Sequence, residues 1–225
     1  MTAKEVKELL ISLGADLCGI APLDRFSEAP EGFHPLDVFP DCKSVISFAC
    51  RFPAAALSCP SSAVHTRLRN SLAAKSDAIA LDLCLELERA GIYAVPIPSN
   101  ESVWDAKTGR NRSVVSLKHA AQAAGLGTIG RHSLLITPEF GSMVCLGAVL
   151  TNAELEADSL LASVCTNCDL CVKACPVHAL AGSELNQGAC WDHAFGDDPE
   201  TGRWAITCHK CRDACPHNLG AKNRF

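Results

Sequence analysis

The sequence lacks any run of about 20 consecutive apolar residues, which excludes a helix that crosses a membrane. It also lacks an export signal. The N-terminal segment is charged and amphipathic, and Thr2 and Glu5 have the spacing of a helix capping box. We therefore expect a cytoplasmic protein with no membrane partner.

An excess of positive charge is also missing. The 225 residues include 20 Lys and Arg against 25 Asp and Glu, which gives a net charge of −5. Proteins that bind a phosphate backbone strongly usually present a basic surface. The charge balance therefore argues against a strong nucleic-acid binder.

Cysteine, by contrast, is abundant, with 14 residues, and eight of them lie in the last third of the chain. The first run reads Cys165-Thr-Asn-Cys168-Asp-Leu-Cys171-Val-Lys-Ala-Cys175-Pro176. This spacing, including the proline, matches the bacterial motif that binds [4Fe–4S] clusters. It predicts a cofactor with one-electron chemistry.

A second, partial run reads Cys208-His-Lys-Cys211-Arg-Asp-Ala-Cys215-Pro216. In two-cluster ferredoxins, the last cysteine of each run binds the cluster of the other run. The repeat would place one more ligand at position 205, which is Ala205, so Cys190 is the predicted substitute. The predicted ligands are Cys165, Cys168, Cys171 and Cys215 for cluster one, and Cys175, Cys190, Cys208 and Cys211 for cluster two.

Two other interpretations of the cysteines remain open. A single Cys-x2-Cys pair most often binds zinc, and a disulfide framework would require an oxidising compartment. The 2-2-3 spacing with its partial repeat favours iron–sulfur clusters over both. The other six cysteines show no ligand spacing and are predicted to be small buried side chains: Cys18, Cys42, Cys50, Cys59, Cys84 and Cys145.

Alternating elements precede the cysteine runs. Helices are predicted at 3–13, 62–90 and 115–124, and strands at 17–21, 43–50, 93–97, 134–136 and 144–150. We therefore predict an α+β protein with a layered α/β domain at 1–157 and a two-cluster ferredoxin-like domain at 158–225. The acidic, polar stretch 152–159 is the predicted linker. The second domain has almost no core pattern, so its cofactors must hold it together.

The segment Gly125-Leu-Gly127-Thr-Ile-Gly130 has the glycine spacing of a dinucleotide-binding turn. Such a turn follows a strand and opens a helix. Here it follows a predicted helix and opens a strand-like run, so the context argues against nicotinamide binding.

The block Ala124-Gly125-Leu126-Gly127-Thr128-Ile129-Gly130-Arg131-His132-Ser133-Leu134-Leu135 resembles the AGLG-x-x-G-[KR]-x-S-L-L pattern of the epoxyqueuosine reductase family. The cysteine runs and the opening Leu13–Pro22 also resemble that family. The resemblance implies an N-terminal domain of the cobalamin-binding, flavin-reductase-like type. It also implies that the two clusters feed electrons to a corrinoid, with Gly125, Gly127, Gly130, Arg131 and His132 as the cofactor-binding residues.

Three departures from the family pattern concern catalysis and substrate. An ungapped count places Asn111 where the family has its catalytic Asp, and an amide cannot donate a proton as a carboxylic acid can. The family's Asp-Tyr-His stretch ahead of the long helix is represented by His65 alone. The candidate catalytic residues are Asn111 and His132. Because the helical-repeat domain of many tRNA-acting members is absent and the pI is about 5.9, tRNA is expected to be an unlikely substrate.

The hypothesis is thus an iron–sulfur oxidoreductase that passes single electrons from a ferredoxin- or flavodoxin-type donor to cobalamin or a small-molecule substrate. The alternative is an electron-transfer protein without catalysis of its own, whose N-terminal domain docks to a partner enzyme.

Overall fold

The N-terminal part of the computed structural model contains an antiparallel four-stranded sheet. The structure describes residues 1–106, 108–198 and 201–222. The sheet has the order β1-β2-β8-β3, and all its neighbouring strands pair antiparallel. Its strands are β1 (Leu17–Pro22), β2 (Ser44–Arg51), β3 (Ala94–Ile97) and β8 (Val144–Thr151).

Helices cover both faces of this sheet. On one face lie α1 (Ala3–Ser12) and the long α3 (Ser62–Arg89), and on the other lies α4 (Leu117–Ala123). Strand β2 is consequently buried at seven of its eight positions, so it does not show the alternation of a half-exposed strand. The predicted α+β class with a layered α/β domain is confirmed.

Most predicted elements of this region form at the expected places. Helix α1 begins with the predicted capping box, in which Glu5 N–H donates to Thr2 Oγ1 and Thr2 N–H donates to a Glu5 carboxylate oxygen. Helix α3 ends at Arg89, and Gly91 after it has a positive φ of 77°. Among the described residues, no helix combines the length and the apolar character that a membrane crossing requires.

The polar segment between β3 and α4 forms a hairpin that the sequence did not predict. Strand β4 (Val103–Asp105) pairs with β5 (Arg110–Arg112). Its sequence is polar and has no strand pattern of apolar residues. Residues outside the hairpin stabilise it. Gln187 Oε1 accepts a hydrogen bond from the Asn111 amide, and Arg110 forms an ion pair with Glu184.

The predicted linker is packed against the sheet rather than extended in solvent. Leu155 is 8% exposed, and its amide donates to Ser44 Oγ. Asp158 accepts a hydrogen bond from the Ile20 amide and forms an ion pair with Lys7 at 2.8 Å. The Asp158 carboxylate thus serves as a partner for backbone and lysine. The domain boundary at 157/158 stays a prediction.

Beyond residue 158 the elements are short. The helices here are as short as α2 (Pro35–Val38) or somewhat longer. The elements are α5 (Leu170–Ala174), α6 (Gln187–Ala194), β9 (Phe195–Asp197), β10 (Trp204–Ile206) and α7 (Lys210–Asp213). The segment has few buried apolar side chains, so burial alone gives it little stability. Two further short strands, β6 (Thr128–Ile129) and β7 (Leu135–Ile136), lie between α4 and β8 and pair with each other.

Gly19 on β1 provides a test of how tightly the sheet packs on α4. A Cβ at Gly19 would lie 2.2 Å from the Ala124 carbonyl oxygen, a backbone atom that cannot rotate away. We expect Gly19→Ala to lower the free energy of unfolding by about 1–3 kcal/mol or more. The control is Gly196→Ala, where no atom lies within 4 Å of the added Cβ. Its effect should stay within about 0.5 kcal/mol. Denaturant unfolding measures both, and equal effects would contradict the packing argument.

Candidate iron–sulfur centres and the adjoining cleft

The loop of the first cysteine run has an unusual backbone around Cys168. Its neighbours Asn167 and Asp169 both adopt positive φ angles, of 53° and 57°. Asn and Asp tolerate this left-handed region better than most residues. In this loop Cys165, Cys168 and Cys171 all line one small cavity.

Cys215 completes this cavity from the end of the second run. The cavity is lined by Cys165, Cys168, Cys171 and Cys215, together with Arg131, His132 and Pro216. The loop is at the surface, because Cys168 is exposed whereas Cys171 is buried. The structure thus brings together the four cysteines predicted for cluster one.

The four cysteines predicted for cluster two also line one cavity, a larger cleft of about 540 Å³. Cys190 reaches it from α6, and Cys211 reaches it from α7. Ala205, which occupies the expected ligand position, is buried in β10 and is 2% exposed. These positions agree with the prediction that Cys190 takes the ligand role that the repeat would give to residue 205. The assignment of ligands itself stays a prediction.

The thiols that raise one another's pKa belong to the same two groups. Burial raises the pKa of Cys190, and the negative charges of Cys175 and Cys208 raise it further. Burial likewise raises the pKa of Cys215, which is also raised by Cys165 and Cys168. Because a bound iron atom stabilises the thiolate, a cluster would reverse the unfavourable effect of bringing four such groups together.

Four cysteines line each of the two cavities. This number of thiols suits a [4Fe–4S] cluster, which takes four cysteine ligands. Because zinc can also bind four cysteines, the choice of iron–sulfur clusters rests on the spacing of the first run. All 14 cysteines are free thiols in the structure.

The glycine-rich turn leads into Arg131, which contacts the first cysteine run. The Arg131 amide donates to Cys165 Sγ at 3.5 Å, and Arg131 Nε lies 3.5 Å from Asp169 Oδ1. A Cβ at Gly127 would lie 2.3 Å from the Ile136 carbonyl oxygen. The close packing of two backbone segments therefore requires a glycine at this position. The turn follows α4 and opens β6, the context that argued against nicotinamide. Cofactor binding by Gly125, Gly127 and Gly130 stays a prediction.

The larger cleft is also lined by several elements of the N-terminal part. Strand β8 contributes Val144 and Leu146, α4 contributes Leu117, and Phe52 and Leu134 complete an apolar lining. The cysteines predicted for cluster two line the same cleft.

Buried polar atoms in this cleft lack protein partners. The described residues provide none for His65 Nδ1, Ser99 Oγ, His132 Nε2 or Arg212 Nε. All four residues line the cleft. Buried donors and acceptors are nearly always paired, so four orphaned atoms around one cavity indicate a ligand with polar groups.

His132 is one of these residues and is 4% exposed. Its Nδ1 accepts a hydrogen bond from the Leu134 amide at 3.2 Å, which assigns the proton to Nε2. Burial and the positive charge of Arg212 lower the pKa of His132 to about 4. The ring is therefore neutral at pH 7, and it serves the cleft as a hydrogen-bond donor better than as an acid.

His65 lies at the start of α3 and is 5% exposed. Its ring stacks between Phe52, at 6.1 Å, and His209, at 4.7 Å. Burial, with His209 and Arg212, lowers the pKa of His65 to about 4. His209 lies between Cys208 and Cys211 in the chain, so this stack joins the long helix to the second cysteine run.

Asn111 is placed away from the cleft. It lies on β5, half-buried, and contacts Gln187 through its backbone amide. Because it is not among the residues that line the cleft, its role as a candidate catalytic residue gains no geometric support. The candidate stays untested.

Sequence reasoning underrated several cleft residues. Arg69 and Ser99 line the cleft and attracted no attention in the sequence. The basic stretch of Arg110, Arg112 and Lys118 had two interpretations, as a solvated face or as a surface that steers an anionic substrate or cofactor. One signal was present, since Arg69 is four residues after His65 and shares its helix face. No signal in the sequence shows that β8, α4 and the cysteine runs meet at this cleft.

The fold and the two cysteine-lined cavities point to the class of iron–sulfur proteins. A family model described as a 4Fe-4S binding domain matches residues 161–181, which include the whole first cysteine run. This match confirms [4Fe–4S] cluster binding. The number of clusters is not fixed by it.

Known relatives identify the family more closely. The chain is 31% identical over 209 residues to an epoxyqueuosine reductase of Listeria monocytogenes, which covers 87% of this chain and 53% of the relative. The chain thus spans about half the length of that curated relative. The predicted resemblance to the epoxyqueuosine reductase family is confirmed, and the chain is a relative of these proteins.

Two solved structures show the same fold. An epoxyqueuosine reductase determined with a tRNA-Tyr epoxyqueuosine-modified stem loop matches with a TM-score of 0.66 and 24% identity, over 96% of this chain and 64% of that one. A catabolic reductive dehalogenase matches with a TM-score of 0.72 and 17% identity, over 98% of this chain and 32% of that one.

The expectation that tRNA is an unlikely partner is wrong. The similar structure with a bound stem loop overturns it, together with the names of the relatives. The physical reason is that a net charge averages over the whole surface. Arg110, Lys118 and Arg131 line one cavity and make that part of the surface basic despite the overall charge of −5.

Proposed function

We propose that this protein is an iron–sulfur reductase in which two [4Fe–4S] clusters deliver single electrons to a corrinoid bound in the cleft. Cluster one is held by Cys165, Cys168, Cys171 and Cys215, and cluster two by Cys175, Cys190, Cys208 and Cys211. The iron–sulfur oxidoreductase class is supported by the relatives and by the cluster-binding family model. The observation that carries the proposal is that the cluster-two cysteines form a wall of the cleft with four orphaned polar atoms.

The cleft residues fit a corrinoid in two respects. The apolar lining suits the face of a large ring, and the orphaned polar atoms suit the amide groups at the ring's edge. His132 Nε2–H donates to such an amide oxygen, and Arg212 Nε–H is a second donor. When bound, a corrinoid supplies a strongly reducing metal centre for the cleavage of carbon–oxygen or carbon–halogen bonds.

The residues of the chain have separate tasks in this proposal. Cluster one lies at the surface, where a ferredoxin- or flavodoxin-type donor can reach it, because Cys168 is exposed. Cluster two lies at the cleft, so electrons leave there. Phe52 and Leu134 exclude water from the space between that cluster and the ligand. The cytoplasmic location and the division of the chain at residue 157/158 are part of the same proposal.

The substrate proposed first is the epoxide of a modified tRNA nucleoside, by analogy with the relatives. Asn111 replaces the family's acid and lies outside the cleft, so proton delivery must come from another group or from solvent. A chain that binds clusters but no corrinoid would instead support the electron-transfer alternative.

Anaerobic purification with iron, cobalt, zinc and flavin quantified together tests this function. We expect about eight irons per chain and a change in the corrinoid spectrum when cobalamin is added. Zinc at one or two atoms per chain in place of iron would refute the proposal. Iron without any cobalamin binding would limit the proposed function to electron transfer alone.

His132→Leu tests the cleft itself. The leucine fills similar space but lacks the Nε2–H donor, so we expect cobalamin affinity to fall about tenfold while the iron content stays unchanged. Isothermal titration of the cluster-loaded protein measures the affinity. An unchanged dissociation constant would place the corrinoid outside the reach of His132.

A further inference from the structure

A second cavity of about 380 Å³ adjoins the cleft. Arg110, Lys118 and Arg131 contribute three positive charges to its lining, and Glu184 contributes one negative charge. Lys118 also lines the cleft, so one side chain faces both spaces. A ligand in the cleft can therefore extend a charged group into this second cavity.

Lys118 has no negative partner in the described part of the chain. Its Nζ donates to Ser133 Oγ at 2.5 Å and to the Ser133 carbonyl oxygen at 3.1 Å, and no carboxylate there lies within the 4.0 Å of an ion pair. Burial lowers the pKa of Lys118, and the charge of Arg110 lowers it further. A half-buried ammonium group without an anion is costly, and an anionic ligand would remove this cost.

The two arginines are only weakly engaged elsewhere. The side chains of the Arg131–Asp169 pair, at 3.5 Å, are 29% and 55% exposed. Those of the Arg110–Glu184 pair are 45% and 69% exposed. Exposed pairs of this kind contribute little free energy, so both guanidinium groups can turn toward a stronger anion. Ser133 and Gln187 add neutral hydrogen-bonding groups to the same lining.

We propose that this cavity, centred on Lys118, binds a phosphodiester group of the ligand whose redox-active part occupies the cleft. Phosphate is the anion that accepts several charge-assisted hydrogen bonds at once from lysine and arginine. Two ligands could supply it. One is the nucleotide loop of a cobalamin, and the other is the backbone of an RNA substrate. The inference rests on the proposed function in that it assumes a ligand in the cleft.

The test compares cobalamin with cobinamide, which has the same corrin ring but lacks the phosphodiester and nucleotide. Lys118→Met should weaken cobalamin binding by about ten- to a hundredfold and cobinamide binding by less than threefold. Lys118→Arg keeps the charge and should retain most of the affinity. The control is Lys43→Met, which makes the same charge change at an exposed lysine that lines neither cavity. Titrations use the cluster-loaded protein and are repeated with a tRNA anticodon stem loop.

Each outcome decides the proposal. A loss confined to cobalamin identifies the corrinoid phosphodiester, and a loss confined to the stem loop identifies the RNA backbone. Equal losses for cobalamin and cobinamide, or no loss for any ligand, would overturn the phosphodiester site. If the wild-type protein binds neither corrinoid, the proposed function fails, and the stem-loop titration alone decides the site. Failure to bind all three ligands would overturn both.

Discussion

Replacing Cys175 by alanine is expected to remove iron from cluster two, although Cys175 belongs to the first cysteine run. It lines the cleft with the cluster-two cysteines, and its charge acts on the pKa of Cys190. The iron content should fall from about eight to about four per chain. Iron analysis and the electron paramagnetic resonance spectrum of the reduced protein measure this loss.

Double variants separate the crossed arrangement from an uncrossed one. If Cys175 and Cys208 serve the same cluster, changing both to alanine should cost no more iron than changing either one, because interactions within one unit are not additive. Changing Cys175 together with Cys165 should remove nearly all iron. Cys59→Ala should keep about eight irons, since Cys59 lines neither cysteine cavity. Complete loss in the Cys175 and Cys208 double variant would refute the crossed assignment.

Removing the iron is expected to unfold the cysteine-rich segment while the sheet stays folded. The segment's described elements are one pair of three-residue strands and helices of at most eight residues. Its fully buried apolar side chains are few and mostly small, such as Ala179, Ala194 and Ala205. In domains of this kind, metal binding of order 10 kcal/mol supplies the free energy of folding.

Hydrogen exchange before and after anaerobic chelation measures this effect. Amides of 163–198 and 201–222 should lose protection after chelation, and those of β2 and β8 should keep it. The sheet gives an internal control because its core includes Phe48, Leu83 and Leu150, all fully buried and none near a cysteine cavity. Protection that survives in the cysteine segment would show that this part folds without its clusters.

The proposed position of cluster two bears on its reduction potential. Arg212 lies 5.6 Å from the ring of Phe52 and lines the cleft. A positive charge held there would favour the more reduced state of a cluster bound by the neighbouring cysteines. The structure places Arg212 at the cleft, whereas Lys173 is exposed.

Much of the fold could be predicted from the sequence because its signals are local. The capping box fixed the start of α1, the absence of Pro and Gly from 62–90 indicated α3, and strand-length apolar runs indicated β2 and β8. The hairpin of β4 and β5 could not be predicted in this way. Its strands have only three residues each. Contacts with Gln187 and Glu184, which lie over 70 residues away in the chain, stabilise the hairpin.

The sequence by itself determined that this protein binds iron–sulfur clusters, because ligand spacing in a short loop is a local property of the chain. Only the tertiary structure decided that the cysteines predicted for cluster two line a cleft and that Lys118 lines both this cleft and a second cavity. It also decided that Asn111 lies outside the cleft. The physical reason is that these arrangements depend on where α3, α4 and β8 meet the cysteine runs. Residues separated by about a hundred positions share no pattern that sequence spacing could reveal.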